Sequence, residues 1–135
     1  MADILIIDDY IVSAEVLAEI MRAQGHDVRV GHDGREGLRL ADARRPDVAL
    51  LDVEMPLLDG PGLANEMLLH NFGLQNVPVI FLSGVNNLSD VAARVGTPYF
   101  LSKPYRFERL LSILDRALSE RRAPHPPRRA RRPTA

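Results

Sequence analysis

The sequence predicts an α/β domain built on an open, doubly wound parallel sheet. Two patterns carry that expectation. Five short apolar runs alternate with five stretches whose apolar residues recur at helical spacing. Strands that are apolar along their length are buried on both faces, as in a parallel sheet covered by helices. Right-handed crossovers complete the doubly wound arrangement. A length of 135 residues suits one domain with a sizeable core.

The first strand is Ile4–Asp8, closing in acids. Ile11–Gln24 follows as a helix, with Val12, Val16, Leu17, Ile20 and Met21 on one stripe, and Gly25 stops it. His26–Gly31 alternates and reads as a half-exposed strand. Gly34–Arg44 is the second helix, with Leu38 and Ala41 inward. Pro46 leads to the buried strand Val48–Asp52. Met55 and Pro56 shape a loop, and Asp59-Gly60 reads as a turn whose glycine takes a positive φ. Gly62–Asn71 carries Leu63, Met67 and Leu68 on the third helix. Pro78 opens the strand Val79–Ser83. Asn87–Val95 is a short, weakly apolar fourth helix. Tyr99–Ser102 is the fifth strand. Arg106–Arg121 closes the fold as a helix with Leu110, Ile113, Leu114, Ala117 and Leu118 inward.

The chain is 46% hydrophobic and 26% charged, ordinary for a globular domain. There are no cysteines, which removes disulfides and thiolate chemistry and fits a reducing cytoplasm. The longest apolar stretches are far shorter than a membrane span. Met1-Ala2-Asp3 leads directly into a strand, so no signal peptide is expected. The net charge of −1 conceals an asymmetry: residues 1–120 hold 11 basic and 18 acidic residues, whereas 121–135 hold six arginines and no acid. A domain over 1–121 with a disordered Arg/Pro-rich tail over 122–135 is therefore expected.

The chain holds 16 arginines and one lysine. That lysine, Lys103, stands before a proline at the end of a strand, where a compact point charge differs from a planar fork. A GC-rich genome is the plainer account of the arginine excess. Asp8-Asp9, Asp52 and Ser83 close three other strands. In doubly wound sheets ligands sit at the carboxyl ends of the strands, so these residues form one candidate site. Each alone has a structural reading: a turn and helix cap for Asp8-Asp9, a loop acid for Asp52, a turn for Ser83-Gly84, a solvated strand end for Lys103. Their conjunction at one sheet edge outweighs those readings.

Over residues 3–121 the chain resembles the receiver domain of bacterial two-component response regulators, in particular small chemotaxis or phosphorelay receivers that stand alone. The residues that carry this are Asp8-Asp9, the loop Asp52-Val-Glu-Met-Pro-Leu-Leu-Asp-Gly60, Leu82-Ser83-Gly84 and Ser102-Lys103-Pro104. The resemblance implies a flavodoxin-like (βα)5 sheet in the order 2-1-3-4-5. It implies that Asp52 accepts a phosphoryl group from a histidine kinase or histidine phosphotransfer protein. Asp8, Asp9 and Asp52, with the carbonyl of Glu54, would hold Mg²⁺, while Lys103 and Ser83 would bind phosphoryl oxygens. Ser83 and Phe100 would form the switch, Tyr99 pointing to the opposite face. A cis peptide is implied at Lys103-Pro104. Partner docking would use Tyr10, Ile11 and Ala14 with the Tyr105-Arg106 loop. The module would signal by binding a downstream protein, and would catalyse only its own phosphorylation and dephosphorylation.

The chain also departs from that pattern. Ser83 to Lys103 is about two residues shorter than a usual helix-plus-loop connection, so the fourth helix is expected to be shortened or irregular. Ser83 stands where threonine is commoner. Glu54 is expected either to approach Lys103 when metal is absent or to crowd an attacking water, and with Val85 to slow self-dephosphorylation. Three other readings compete. An aspartyl-nucleophile phosphate-ester hydrolase carries Asp-x-Asp, whereas Asp52 is followed by Glu54 and no cap domain is present. The arginines of the tail suit non-specific contact with nucleic-acid phosphates, but no helix-turn-helix is present, so no specific DNA binding is expected. Finally, the chain reads equally as a receiver from a longer regulator or hybrid kinase, with the tail as linker.

Overall fold

The computed structural model describes residues 1–55, 58–69 and 76–125. The elements run β1 (Asp3–Ile7), α1 (Ile11–Ala23), β2 (Asp27–Gly31), α2 (Gly34–Ala43), β3 (Val48–Leu51), α3 (Gly60–Leu69), β4 (Val79–Ser83), α4 (Leu88–Val95), β5 (Tyr99–Ser102) and α5 (Phe107–Glu120). The strands pair in parallel in the order β2-β1-β3-β4-β5. Pro56, Asn71, the side chains of Met67 and Leu68 and the tail beyond His125 lie outside the described residues.

Strand alternation divides the apolar residues between two cores. Ile4, Ile6, Val48, Leu50, Ile80, Leu82, Tyr99 and Leu101 face α1 and α5. Leu5, Ile7, Ala49, Leu51, Val79 and Phe81 face α2, α3 and α4. Burial on both faces is why β1, β3 and β4 read as unbroken apolar runs. Each fully buried aliphatic side chain contributes about 1.5–3 kcal/mol. The chain leaves β1 first to one side and then to the other, so the carboxyl ends of β1 and β3 border the crevice where such sheets bind ligands.

Four details of the structure bear on the sequence expectation. On α1 the buried residues are Ala14, Leu17, Ala18 and Met21, while Val12 and Val16 are 65% and 54% exposed. The apolar residues of this helix cover more than one face, and its small alanines take the close contacts with the sheet. Ala14 is consequently fully buried and is no docking residue, unlike Tyr10 and Ile11, which are exposed. Gly60 has no positive φ, since among the described glycines only Gly25 and Gly96 do. It opens α3 instead, and a Cβ there would collide with the carbonyl oxygen of Asp52. The shortened α4 is a regular eight-residue helix ended by Gly96 in the left-handed conformation. The described residues continue past residue 121. Arg121 caps α5 at φ 53°, Pro124 is buried, and the His125 N–H donates to the Gly96 carbonyl at 2.9 Å.

The amino ends of the strands carry paired charges. Asp3 Oδ1 accepts from Arg29 Nη2 at 3.2 Å, and its Oδ2 meets Arg44 Nε at 2.7 Å. Asp47 Oδ2 accepts the Asp3 N–H at 2.8 Å, and Asp47 Oδ1 lies 3.8 Å from Arg121. Arg29 also donates to the carbonyls of Leu40 and Arg44.

Candidate functional site

The parallel register delivers the polar residues to the opposite edge. Ile7 pairs with Leu51, so Asp8 and Asp52 leave the sheet side by side, and the Asp52 N–H donates to the Ile7 carbonyl at 3.0 Å. Ser83 pairs with Ser102, and the Lys103 N–H donates to the Ser83 carbonyl at 2.8 Å. Five residues from four strand ends therefore meet at one place. Carboxylate oxygens of Asp8, Asp9 and Asp52 lie within 4.8 Å of one another. Lys103 Nζ reaches Asp8 Oδ2 at 2.9 Å.

Burial grades the three acids. Asp8 is 7% exposed, Asp52 is half-buried and Asp9 is exposed. Asp8 is fixed from two sides: Oδ2 takes Lys103 and Oδ1 accepts the Tyr10 N–H at 3.0 Å. The Asp52 carboxyl is pushed above its ordinary pKa, first by burial; Lys103 opposes this, and the charges of Asp8 and Asp9 add to it. Burial alone would lower the Lys103 pKa. The hydrogen bond and charge of Asp8, with the charge of Asp52, more than offset it and hold the ammonium above its ordinary value. Lys103 is thus charged throughout the neutral range.

The remaining expected residues sit around this cluster. Ser83 is buried, and its Oγ accepts the Val85 N–H at 3.3 Å. Phe100 is 37% exposed, whereas Tyr99 is fully buried on the opposite face, its hydroxyl donating to Glu120 at 2.8 Å. The Lys103-Pro104 peptide is cis. Glu54 is exposed, and the partner of Lys103 is Asp8 rather than Glu54. His32 was missed from sequence: its Nδ1 lies 3.2 Å from the Asp8 carbonyl, with Nε2 3.8 Å from Glu15. The signal was available, because His32 follows β2 as Asp8 follows β1.

The donor set fits a hard divalent cation. Three carboxylates converge, all oxygen donors, one of them exposed, and fixed positive charge comes from one lysine. Mg²⁺ takes such a site with one or two carboxylates and several waters.

An α/β sheet in the order 2-1-3-4-5, with acids, a hydroxyl and a lysine at its carboxyl edge, defines a receiver-type signalling domain. The sequence matches the response regulator receiver domain over residues 4–115, and the chain belongs to that family. It is 35% identical over 123 residues to the response regulator MprA of Mycolicibacterium vanbaalenii, covering 90% of this chain and 52% of that one. The chain thus spans about half the length of the curated relatives it matches. Among solved structures it is similar to the receiver domain of a signal transduction histidine kinase from Syntrophus aciditrophicus (TM-score 0.80, 30% identity, 89% of this chain and 92% of that one). It is also similar to the Vibrio cholerae chemotaxis protein CheY4 (TM-score 0.78, 29% identity, 86% of this chain and 98% of that one). Phosphorylation and Mg²⁺ binding are typical of this family of two-component systems. No described helix is long and apolar enough to cross a membrane.

Proposed function

We propose that residues 1–121 act as a phosphoryl-accepting receiver, with Asp52 the acceptor and a phosphohistidine of a kinase or phosphotransfer protein the donor. The observation that carries this reading is the convergence of Asp8, Asp9, Asp52 and Lys103 at the carboxyl edge. In the transfer, an Asp52 carboxylate oxygen bonds to phosphorus. The P–N bond to the donor imidazole breaks, and its electron pair returns to nitrogen. A carboxylate needs no base to act as nucleophile near neutral pH. Its obstacle is repulsion between anions, so catalysis here is positioning and charge neutralisation.

Asp8, Asp9 and Asp52, with the Glu54 carbonyl, would hold Mg²⁺, which supplies positive charge to the transferring phosphoryl group. Lys103 neutralises one phosphoryl oxygen and the Ser83 hydroxyl donates to another. Ser83 then moves toward the phosphoryl group and Phe100 turns inward, a shift between two populations rather than a new fold. The exposed Phe100 suits the outward state. The output is binding of a downstream protein, not reading of a DNA sequence by this domain, and the exchange takes place in the cytoplasm. Arginines beyond the domain form a basic tail. With Glu54 beside the acceptor and Val85 unable to orient a water, the acyl phosphate persists for minutes or longer; a half-life of seconds would contradict this.

The test is incubation with Mg²⁺ and acetyl phosphate or phosphoramidate, read by intact mass. The protein gains one phosphoryl group and Asp52→Ala gains none. No gain in the parent protein while Mg²⁺ demonstrably binds, or equal gain in the variant, overturns the reading.

A further inference from the structure

Asp8 has each of its polar groups engaged. Its N–H donates to the Gly31 carbonyl at 3.1 Å. Its Oδ1 accepts the Tyr10 N–H, and its Oδ2 takes Lys103. Its carbonyl lies just past the end of β1 and receives no backbone N–H among the described residues. The His32 ring supplies the missing donor, with Nδ1 3.2 Å from that oxygen. A carbonyl only accepts, so Nδ1 carries the hydrogen.

His32 is itself held in place. Its backbone N–H donates to Glu36 Oε1 at 2.7 Å, in the first turn of α2. Asp33 closes the same turn by accepting the Glu36 N–H at 2.8 Å. The far side of the ring faces α1, where Nε2 lies 3.8 Å from Glu15. The ring therefore stands on a turn that is fixed from both sides. Asp9 is the opposite case. Its carboxylate belongs to the acidic cluster, yet it is exposed and has no hydrogen bond or ion pair among the described residues. Its place is set by the backbone, through the planar peptide that joins it to Asp8. The oxygen of that peptide is the one His32 holds.

We propose that His32 is a positioning residue for the cation: by fixing the Asp8–Asp9 peptide plane it fixes where the Asp9 carboxylate stands. This rests on the reading of Asp8, Asp9 and Asp52 as a Mg²⁺ site. Without the His32 hydrogen bond the peptide turns more freely, and Asp9 has to be ordered when the cation arrives, which weakens binding. His32 has no hydrogen bond or ion pair with Asp52, Ser83 or Lys103. Its effect therefore falls on metal affinity and not on phosphoryl transfer once metal is bound.

The test is calorimetric titration of Mg²⁺ into the full chain at neutral pH, with a melting curve to report that each variant folds. An asparagine amide places a donor where Nδ1 stands, whereas a glutamine amide reaches the place of Nε2. His32→Asn is expected to bind Mg²⁺ as the parent does. His32→Ala and His32→Gln are expected to bind about tenfold more weakly or worse, the scale for groups that orient a metal's ligands. At saturating Mg²⁺ the initial rate of phosphoryl uptake from acetyl phosphate should be the same for the parent and every variant. The proposal is overturned if the alanine and glutamine variants bind Mg²⁺ as tightly as the parent, or if the asparagine variant binds as weakly as alanine. An uptake deficit that persists at saturating Mg²⁺ also overturns it. A parent protein that binds no Mg²⁺ sinks the cation site and this role together, whereas equal affinities beside a binding parent sink the role of His32 alone.

Discussion

The two ends of one sheet treat aspartate in opposite ways. At the amino ends Asp3 is held between Arg29 and Arg44, and Asp47 between the Asp3 N–H and Arg121. At the carboxyl ends three aspartates crowd together and share one lysine. The first arrangement is closed, and the Arg29 guanidinium also ties down the Leu40 and Arg44 carbonyls. The second leaves negative charge in excess; burial first, and then the charges of Asp8 and Asp9, lift the Asp52 pKa, a cost that stability alone does not explain. Forked arginines serve the structural end, and the compact ammonium of Lys103 sits at the end proposed to react.

Breaking the reactive end is expected to have the largest effect. Lys103→Ala should slow phosphorylation by acetyl phosphate about a hundredfold or more, the scale on which loss of one pre-organised charge acts. Lys103→Arg should restore the charge without the rate, because the fork does not fit the place of the ammonium. Initial rates by intact mass decide both, and full rescue by arginine would sink the distinction drawn between the two ends.

Breaking the structural end should act on stability alone. Asp3→Asn leaves the partly buried Arg29 guanidinium short of a carboxylate and should cost about 1–3 kcal/mol in denaturant unfolding. Phosphoryl uptake should stay at the parent level; a matching loss of uptake would show that the ends are not separable. Tyr99→Phe removes the hydrogen bond to Glu120 and should cost about 1 kcal/mol by the same measurement.

The smallest expected effect is on pH dependence. Asp52 has a higher pKa folded than the 3.8 of an ordinary aspartate. Between those two values the folded state binds more protons than the unfolded state, so this group lowers stability as pH rises through that window. Its unfavourable contribution is complete above the folded-state pKa and fades as pH falls toward 3.8. Asp52→Asn should flatten that part of the stability profile. An unchanged profile would contradict the crowding.

Much of this was legible in the sequence because the physics was local. Apolar runs such as Val48–Leu51 and Val79–Leu82 mark strands buried on both faces, and the polar residue ending each run marks the carboxyl edge. Asp8, Asp9, Asp52, Ser83 and Lys103 could therefore be assigned to one edge before any contact was known. What escaped depended on the third dimension. Which stripe of α1 faces the sheet turned on Ala14 and Ala18, too small to dominate an apolar pattern. The role of Gly60 came from a close approach to the Asp52 carbonyl, not from its own dihedral angle. The Asp8–Lys103 pair joins residues 95 positions apart, and no spacing rule shows that Lys103 takes Asp8 before Glu54.

The most direct test of the contrast is a set of melting curves at pH 7 and low ionic strength, for the parent, Asp3→Asn and Asp52→Asn, each with and without Mg²⁺. The account predicts opposite signs without metal: Asp3→Asn melts lower than the parent, and Asp52→Asn melts a few degrees higher because an excess charge is gone. Mg²⁺ should raise the melting temperature of the parent and of Asp3→Asn, and do much less for Asp52→Asn. A lower melting temperature for Asp52→Asn, with no response of the parent to Mg²⁺, would mean that the carboxyl-end acids are structural after all.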